Sequence, residues 1–337
     1  MNLKKNLFLF LLATCSFVAC KKSSIPKNPA PKKTDVYITG SISTVDNVSV
    51  ATCWKNDTLY KLADSTSNSG ANSIVINGTD IYIAGYTTDA ATSKTVATYW
   101  KNGVATKVTD GTSSANAYAI VVSKTDVYLA GYIYSPTNKL IATYWKNGVA
   151  TKLTNGVLGA DAFAIALKGS DLYVVGLSVA ANENYQATYW KNGVATYLAE
   201  NKYNASAVDI AINGADVYIS GSVNFNPMYW KNDVATTALG SNGGGSIALS
   251  GNDIYTTGSV SGPDPGISHP LAYWKNGVSV MLPGVGSSTT AIAVSDNNVY
   301  VIGSDTQGGG LYWKNSAVVQ INGGGSKFFS DIAVLSH

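Results

Sequence analysis

The chain has 337 residues and a formal net charge of +3, a length that suits one large all-β domain or two ordinary domains. Residues 1–34 contain seven lysines and no acidic residue, so residues 35–337 carry 3 − 7 = −4. A mildly acidic segment without arginine argues against a nucleic-acid partner, because clustered Lys and Arg supply most of the affinity for phosphate backbones. Only 13% of the residues are charged and 33 are glycine, which is typical of a turn-rich β protein.

Residues 1–20 have the layout of an export signal. Two lysines precede an apolar run over residues 7–13 that is too short to span a bilayer. The segment Phe17-Val18-Ala19-Cys20 then resembles the lipobox of bacterial lipoproteins, which are cleaved before the cysteine and acylated on it. Lipidation at Cys15, an ordinary cleaved signal and an uncleaved anchor are the alternatives.

Residues 21–34 are polar and rich in Lys, Pro and Ser, and this composition predicts an extended tether. Two or more acyl chains would give stable membrane attachment. The start Cys20-Lys21-Lys22-Ser23 looks like that of outer-membrane lipoproteins of the Bacteroidetes. That resemblance implies a lipid-anchored protein of the outer membrane, either periplasmic or exposed at the cell surface.

Residues 35–337 consist of repeats. The unit Tyr-Trp-Lys-Asn recurs at intervals of 39 to 46 residues, with Cys53 in place of the first tyrosine. It contains every tryptophan of the chain: Trp54, Trp100, Trp145, Trp190, Trp230, Trp274 and Trp313. A second landmark is Asp-Val-Tyr-x-x-Gly, and a third is a run of small apolar residues such as 119–122.

Each repeat contains four strand-like pieces, which in the third copy are residues 117–122, 126–131, 141–146 and 149–154. Asn147-Gly148 between the last two predicts a two-residue hairpin. A period of 40–45 residues with four short strands is typical of a β-propeller blade. The small apolar strand is expected to be innermost, because the centre of the ring is crowded.

The two ends of the repeat region complement each other. The first copy begins at the Asp35 strand and lacks the small apolar strand, whereas residues 331–335 supply such a strand at the end of the last copy. We therefore predict a seven-bladed β-propeller in which the C-terminal strand completes the first blade. Closure of this kind removes exposed sheet edges.

The repeated residues are expected to be structural. The tryptophans would pack between blades, where each could bury 150–250 Å²; a cage for a cation or sugar is the alternative. The aspartate that opens the second strand is expected to pair with the lysine after the tryptophan, and calcium binding by these separated aspartates is disfavoured. Cys53, the one cysteine of residues 35–337, is expected to be a core residue.

The binding face is expected where the connections vary. The second-to-third-strand connections (41–50, 86–96, 132–140, 177–186, 222–227, 259–271 and 304–310) lie at the end of the ring opposite the tight hairpins. Loops on a rigid scaffold usually carry function. The candidate binding residues there are Tyr134, Tyr185, Phe225, Asp264 and His269.

The apolar strand, the Val-Tyr-x-x-Gly strand and the Trp-x-Asn-Gly hairpin together resemble the repeats of bacterial extracellular propellers, including HAF-type repeats. The resemblance covers residues 35–337 and implies the fold; propellers host unrelated functions.

The residue set favours a binding scaffold over an enzyme. The chain has only two histidines, His269 and His337, and two glutamates, and no nucleophile, metal or phosphate-binding motif stands out. No catalytic residue, metal or cofactor is therefore predicted. A monomeric propeller that binds an envelope protein is the first expectation, a glycan-binding propeller the second, and a polysaccharide-active enzyme using loop aspartates the third.

Overall fold

The computed structural model describes residues 33–200, 203–237, 245–260, 270–284, 286–322 and 326–337. Residues 34–337 form one compact unit. Within the described residues all regular secondary structure is β, in seven four-stranded antiparallel sheets. Each sheet is a blade, and the predicted seven-bladed β-propeller is confirmed.

The strands follow the repeats of the sequence. In the first half of the chain they are β1 (Thr34–Ser43), β2 (Ser49–Lys55), β3 (Thr58–Lys61), β4 (Ser69–Asn77), β5 (Asp80–Thr88), β6 (Thr95–Lys101), β7 (Val104–Lys107), β8 (Ala115–Ser123), β9 (Asp126–Tyr134), β10 (Leu140–Lys146), β11 (Val149–Lys152), β12 (Ala160–Lys168), β13 (Asp171–Val179), β14 (Tyr185–Lys191) and β15 (Val194–Tyr197). In the second half they are β16 (Ala205–Asn213), β17 (Asp216–Val223), β18 (Asn226–Lys231), β19 (Val234–Thr237), β20 (Ile247–Ser250), β21 (Asp253–Ser259), β22 (Leu271–Lys275), β23 (Val278–Met281), β24 (Gly286–Ser295), β25 (Asn298–Asp305), β26 (Gly310–Lys314), β27 (Ala317–Val318) and β28 (Lys327–Ser336).

The ring closes through the last strand. Blade 1 has the order β28-β1-β2-β3, and blades 2 to 7 each use four consecutive strands from β4 onward. In blade 1, Ile332 lies opposite Ile38 and Val334 opposite Val36. The innermost strand β28 also packs beside those of blade 7 (β24) and blade 2 (β4), so the predicted closure and the predicted strand order from the centre outward are both confirmed.

A β-bulge in the innermost strand explains the repeated glycine. In blade 3 the register shifts between Ala117 and Ala119 and leaves Tyr118 unpaired. The carbonyl oxygen of Asn116 then lies only 1.9 Å from where a Cβ on Gly131 would be. Equivalent glycines in blades 1, 2, 4, 5 and 7 meet a carbonyl oxygen at 1.8–2.4 Å, so any side chain at this position would collide with backbone.

The repeated Asp, Tyr, Lys and Asn form one group at the hairpin end of a blade. In blade 2 the Lys101 Nζ lies 2.8 Å from the Asp80 carboxylate and 5.2 Å from the ring centre of Tyr82. Asn102 donates from Nδ2 to Asp80 (2.8 Å) and accepts the N–H of Ile81 (2.9 Å). The hydrogen bond from Lys101 is the main cause of the lowered pKa of Asp80. The predicted Asp–Lys pairing is thus confirmed, with the tyrosine as an added cation–π partner.

The tryptophans pack between blades, as predicted. All seven are at most 6% exposed, and six share a core cluster with residues of the preceding blade. Trp100, for example, clusters with Ala51 and Cys53 of blade 1. The tyrosine before the tryptophan points the other way and meets the next blade, as Tyr189 does in the cluster containing Trp230.

The connections opposite the hairpins are shorter than predicted. The hairpin formed by β1 and β2 continues to the pair Ser43 and Ser49, so the turn covers residues 44–48 rather than 41–50. The antiparallel ladder extends this far because each added pair satisfies backbone N–H and C=O groups. For the same reason Tyr134 and Tyr185, expected in loops, lie in strands β9 and β14.

Candidate functional site

A bulge in the innermost strand of blades 1 to 5 and 7 places one extra side chain near the ring axis, toward the loop face. We use that name for the end at which second strands turn into third strands and the chain passes between blades. The unpaired bulge residues are Asn72, Tyr118, Phe163, Val208, Thr290 and Ser330. Two of them are aromatic, and these belong to neighbouring blades 3 and 4.

These two rings belong to a larger tyrosine cluster, defined here as Tyr118, Tyr132, Tyr134 and Phe163. The Tyr118 ring centre lies 5.6 Å from that of Tyr132 and 6.0 Å from that of Phe163. Tyr132 and Tyr134 alternate onto one side of β9, and their rings meet edge-on at 5.4 Å. All four side chains are half-buried, so the cluster offers aromatic surface at the loop end of the ring centre.

A buried carboxyl group lies beside the cluster. Asp161, in the innermost strand of blade 4, is 5% exposed, and its Oδ1 accepts the N–H of Ala162 at 3.0 Å. Burial raises the pKa of Asp161 to about 7, against the opposing effect of that hydrogen bond. Burial followed by the charge of Asp161 raises the pKa of Tyr118.

Amide groups complete the polar part of this surface. Asn72 Nδ2 donates across the blade 2–3 boundary to Asn116 Oδ1 (2.8 Å) and to the carbonyl of Ala117 (2.9 Å). Asn116 lies opposite Tyr132 in the ladder. Amide and carboxyl groups therefore lie close to the aromatic rings.

A cavity of about 640 Å³ opens next to Tyr134, between blades 2 and 3. We call it the blade 2–3 cavity. Its wall includes the polar groups of Asp110, Thr112 and Ser113 as well as the apolar Ile141 and Trp145. Ligand pockets typically span roughly 300–1,000 Å³ and combine apolar surface with a few polar groups, and this cavity has both properties.

The tryptophan in the wall has an unsatisfied donor. Trp145 is completely buried, and its indole Nε1 has no hydrogen-bond partner within the described part of the chain. In blades 5 and 7 the equivalent indoles donate to the carbonyls of Leu198 (3.0 Å) and Pro283 (2.9 Å). A buried unpaired donor costs roughly 1–3 kcal/mol, so an acceptor at Trp145 would be stabilising.

Of the sequence-predicted binding residues that the structure describes, only Tyr134 lies at this site. Tyr134 joins the cluster and the cavity wall. Tyr185 lies at the start of β14 in blade 4 and is 50% exposed, and Phe225 occupies the turn between β17 and β18 in blade 5 and is 80% exposed. Asp264, His269 and the lipidation candidate Cys20 lie outside the described residues.

Three loop aspartates in the described residues accept hydrogen bonds from backbone N–H groups of their own turns. Asp89 accepts the N–H groups of Ala91 and Thr92, and the backbone hydrogen bond from Thr92 is the main cause of its lowered pKa. Asp64 and Asp110 have the same arrangement with the threonine two residues on. No group of three or more His, Cys, Asp or Glu in the described chain could hold a metal ion.

Two half-buried aspartates also connect neighbouring innermost strands. Asp331 Oδ2 accepts the N–H of Ile74 in blade 2 at 2.9 Å, and Asp209 Oδ2 accepts the N–H of Ile247 in blade 6 at 2.9 Å. Burial raises the pKa of both, to about 6 for Asp331. Their donors lie in the adjacent blade, which makes them structural connections within the ring.

The fold and the loop-face surface define a seven-bladed β-propeller with an aromatic site at one end, a class consistent with a binding scaffold. No family model and no curated protein matches the chain. In the described part of the chain there is no helix long and apolar enough to cross a membrane.

Four residues of this site, Tyr118, Tyr132, Phe163 and Asp161, are not among those predicted from the sequence. The repeats do contain a signal for these residues. Tyr118 and Phe163 interrupt runs of alanine where other blades have smaller or polar residues. Tyr132 follows the repeated glycine of the second strand, where blades 1, 5, 6 and 7 have serine. Departures from the repeat in the innermost strands, rather than in the loops, mark this site.

Proposed function

We propose that this chain is a non-catalytic binding protein of the bacterial envelope, attached to the outer membrane through lipid on Cys20, whose propeller captures a glycan at the tyrosine cluster. The observation that carries the proposal is the contact of four half-buried rings across blades 3 and 4. A monomeric ring without a nucleic-acid partner is part of the proposal, in line with the net charge of −4 over residues 35–337 derived above.

Glycan chemistry suits the cluster and its surroundings. The faces of aromatic rings pack against the C–H-rich faces of sugar rings, while amide and carboxyl groups pair with sugar hydroxyls. Asn72, Asn116 and Asp161 supply those groups beside the rings. The blade 2–3 cavity, about 640 Å³, lies next to Tyr134 and gives room for further sugar units.

The non-catalytic part of the proposal is supported by the surroundings of Asp161. Glycoside cleavage uses two carboxyl groups roughly 5–10 Å apart. Asp161 is the carboxyl group that lies beside the rings, and its pKa is raised by burial against the opposing hydrogen bond from the N–H of Ala162. Hydrolysis of a polysaccharide panel that is lost in Asp161→Asn would overturn this part of the proposal.

A protein partner is the second candidate. The observation in its favour is the strong exposure of apolar side chains in loop-face turns, such as Val45 (98%), Val157 (70%) and Phe225 (80%). All three side chains lie at the loop face, and a protein partner that covers this face would bury them. Val45 and Phe225 lie in blades 1 and 5, outside the two blades that form the tyrosine cluster, so substitutions there separate the two candidates.

A glycan array with the purified residues 34–337 tests the main proposal. We expect reproducible oligosaccharide binding that falls at least tenfold in Tyr118→Ala and persists in the matched control Tyr185→Ala, which alters an exposed tyrosine outside the cluster. Binding that survives Tyr118→Ala and is lost in Phe225→Ser would support the exposed turns as the ligand surface instead.

The anchor is tested separately in cells. Wild type and Cys15→Ser should incorporate labelled palmitate and fractionate with the outer membrane, whereas Cys20→Ser should do neither. Loss of label in Cys15→Ser with retention in Cys20→Ser would contradict the assignment of the lipidated cysteine.

A further inference from the structure

Blade 1 departs from the other blades at one position of its third strand. Where the other six copies of the Trp-Lys-Asn unit are preceded by tyrosine, blade 1 has Cys53. Cys53 is 7% exposed and faces Trp100 of blade 2. Burial raises the pKa of its thiol to about 12, so the residue is a small apolar group in this position.

The equivalent tyrosines show what space Cys53 leaves. Tyr189 of blade 4 packs alongside Tyr173 of its own second strand, with ring centres 6.2 Å apart. Its hydroxyl donates to Asp233 at 3.0 Å, the second residue of the hairpin turn in blade 5. A tyrosine ring at this position is therefore bounded by the second-strand tyrosine and by the next blade's hairpin.

At the blade 1–2 boundary the same walls enclose a cavity of about 260 Å³. Tyr37 corresponds to Tyr173, and Gly103 corresponds to Asp233. Cys53, Leu62 and Ile83 supply most of the remaining apolar wall. Apolar cavities of about 150 Å³ can bind a benzene ring, so the space suffices for one substituted ring.

We propose that this blade 1–2 cavity binds a monocyclic phenol in the place that the tyrosine ring occupies at the other blade boundaries. The ring packs against Tyr37 and over Cys53. Its hydroxyl points toward the hairpin at Asn102 and Gly103, as the Tyr189 hydroxyl points toward Asp233. The site lies toward the hairpin end of the blade and is separate from the tyrosine cluster, so it is independent of the glycan proposal.

Tyr60 controls access to this site. It lies directly opposite Cys53 in the β2–β3 ladder, belongs to the cavity wall and is 52% exposed. Threonine occupies the corresponding position in blades 2 to 5. Tyr60 thus covers the outer side of the cavity while remaining free to move into solvent.

A related cavity of about 250 Å³ between blades 7 and 1 provides an internal comparison. There the tyrosine is present as Tyr312 and forms part of the wall, and Val319 stands in the place of Tyr60. Asp57 lines this cavity in the place of Gly103. The two cavities have similar volumes but different linings: the blade 1–2 cavity reaches Tyr37 and Lys55, which flank the open ring position, whereas Tyr312 fills that position in the blade 7–1 cavity.

Ligand-observed ¹⁹F NMR with 4-fluorophenol tests the proposal on residues 34–337. Wild type should broaden the ¹⁹F signal in a saturable way, and p-cresol should compete. Cys53→Tyr fills the cavity with the residue that the other blades carry and should reduce binding at least tenfold. Cys53→Ala, which keeps the space open, should retain binding.

A second variant, which should gain a site, keeps the proposal testable if Cys53→Tyr does not fold. Tyr189→Cys should create a second phenol site at the blade 4–5 boundary and double the stoichiometry. Saturable binding that persists in a folded Cys53→Tyr variant, or that is absent from wild type, would overturn the proposal.

Discussion

Asp331 gives the sharpest prediction about the ring, because one side chain of the closing strand reaches the next blade. Its Oδ2 accepts the N–H of Ile74 at 2.9 Å and its Oδ1 accepts the N–H of Ile332 at 2.8 Å. Asp331→Ala removes both acceptors. Alanine is the native residue at this position in blades 3, 4 and 7, so the variant resembles blades that already exist in the ring.

The expected loss in the free energy of unfolding follows from the two backbone N–H groups that lose their acceptor. Each buried N–H left without a partner costs about 1–3 kcal/mol, which gives about 2–6 kcal/mol for Asp331→Ala at pH 5. At that pH the wild-type carboxyl is largely neutral in the folded state, because burial raises its pKa from 3.8 to about 6.

The sign of the pH dependence follows from the same shift. The folded state binds its proton more tightly than the unfolded chain, so the free energy of unfolding falls as pH rises from about 4 through 6. A shift of about two units corresponds to about 3 kcal/mol. The penalty of Asp331→Ala should therefore shrink by about that amount between pH 4 and pH 8. The groups facing Asp331 are the hydroxyl of Ser73, the two N–H donors and the charge of Asp209, which acts in the same direction as burial.

Chemical unfolding of residues 34–337 between pH 4 and pH 8 measures this effect. Asp331→Asn is the matched control, since it keeps the shape and one acceptor but cannot titrate. Its free energy of unfolding should lack the part of the pH slope that Asp331 contributes. A wild-type slope retained in Asp331→Asn, or a free energy of unfolding unchanged in Asp331→Ala, would refute this reasoning.

Four further outcomes are expected for residues 34–337. Gly131→Ala should prevent folding or lower the melting temperature by more than ten degrees, since its Cβ would lie 1.9 Å from a carbonyl oxygen, and an unchanged melting curve would contradict the bulge geometry. Deletion of residues 327–337 should destabilise the whole ring in a single transition, because blade 1 loses its innermost strand; an unchanged transition would argue against closure. Lys101→Met should change the melting temperature little at high salt, because ion pairs near the surface contribute weakly, and a large loss would show that the pair with Asp80 matters more than its 2.8 Å contact suggests. Asp161→Asn should reduce the fall in stability between about pH 4 and pH 7, since burial raises the pKa of Asp161 to about 7; a slope equal to that of wild type would show that Asp161 does not titrate in this range.

The architecture could be predicted because each repeated residue has a local reason. Asn147-Gly148 predicts the hairpin, and both residues do have positive φ, 50° and 84°. Trp145 marks the blade boundary because a large ring must be buried. The first repeat lacks its innermost strand and the last repeat is followed by an extra one, so the C-terminal strand is predicted to close the ring in blade 1.

The binding surface could not be located in the same way. A bulge inserts one extra residue into one strand of a pair, and the pairing with the neighbouring strand decides which residue that is, so Tyr118 could not be placed from the sequence pattern alone. The sequence predicts a loop at Tyr134, whereas the residue pairs with Leu140 at the end of β9. How far the β9–β10 ladder extends depends on strand pairing, which composition does not reveal. Asp161 looked like an ordinary polar residue, since its burial depends on the packing of blades 3 and 4.

The proposed function depends most directly on whether a glycan binds at the tyrosine cluster. Labelling with 3-fluorotyrosine makes this directly visible, because single Tyr→Phe variants assign the ¹⁹F signals of Tyr118, Tyr132 and Tyr134 apart from that of Tyr185. On titration with an oligosaccharide from the array, we expect saturable shifts of the three cluster signals and an unchanged Tyr185 signal. Saturable binding that moves Tyr185 and leaves the cluster signals in place would contradict it.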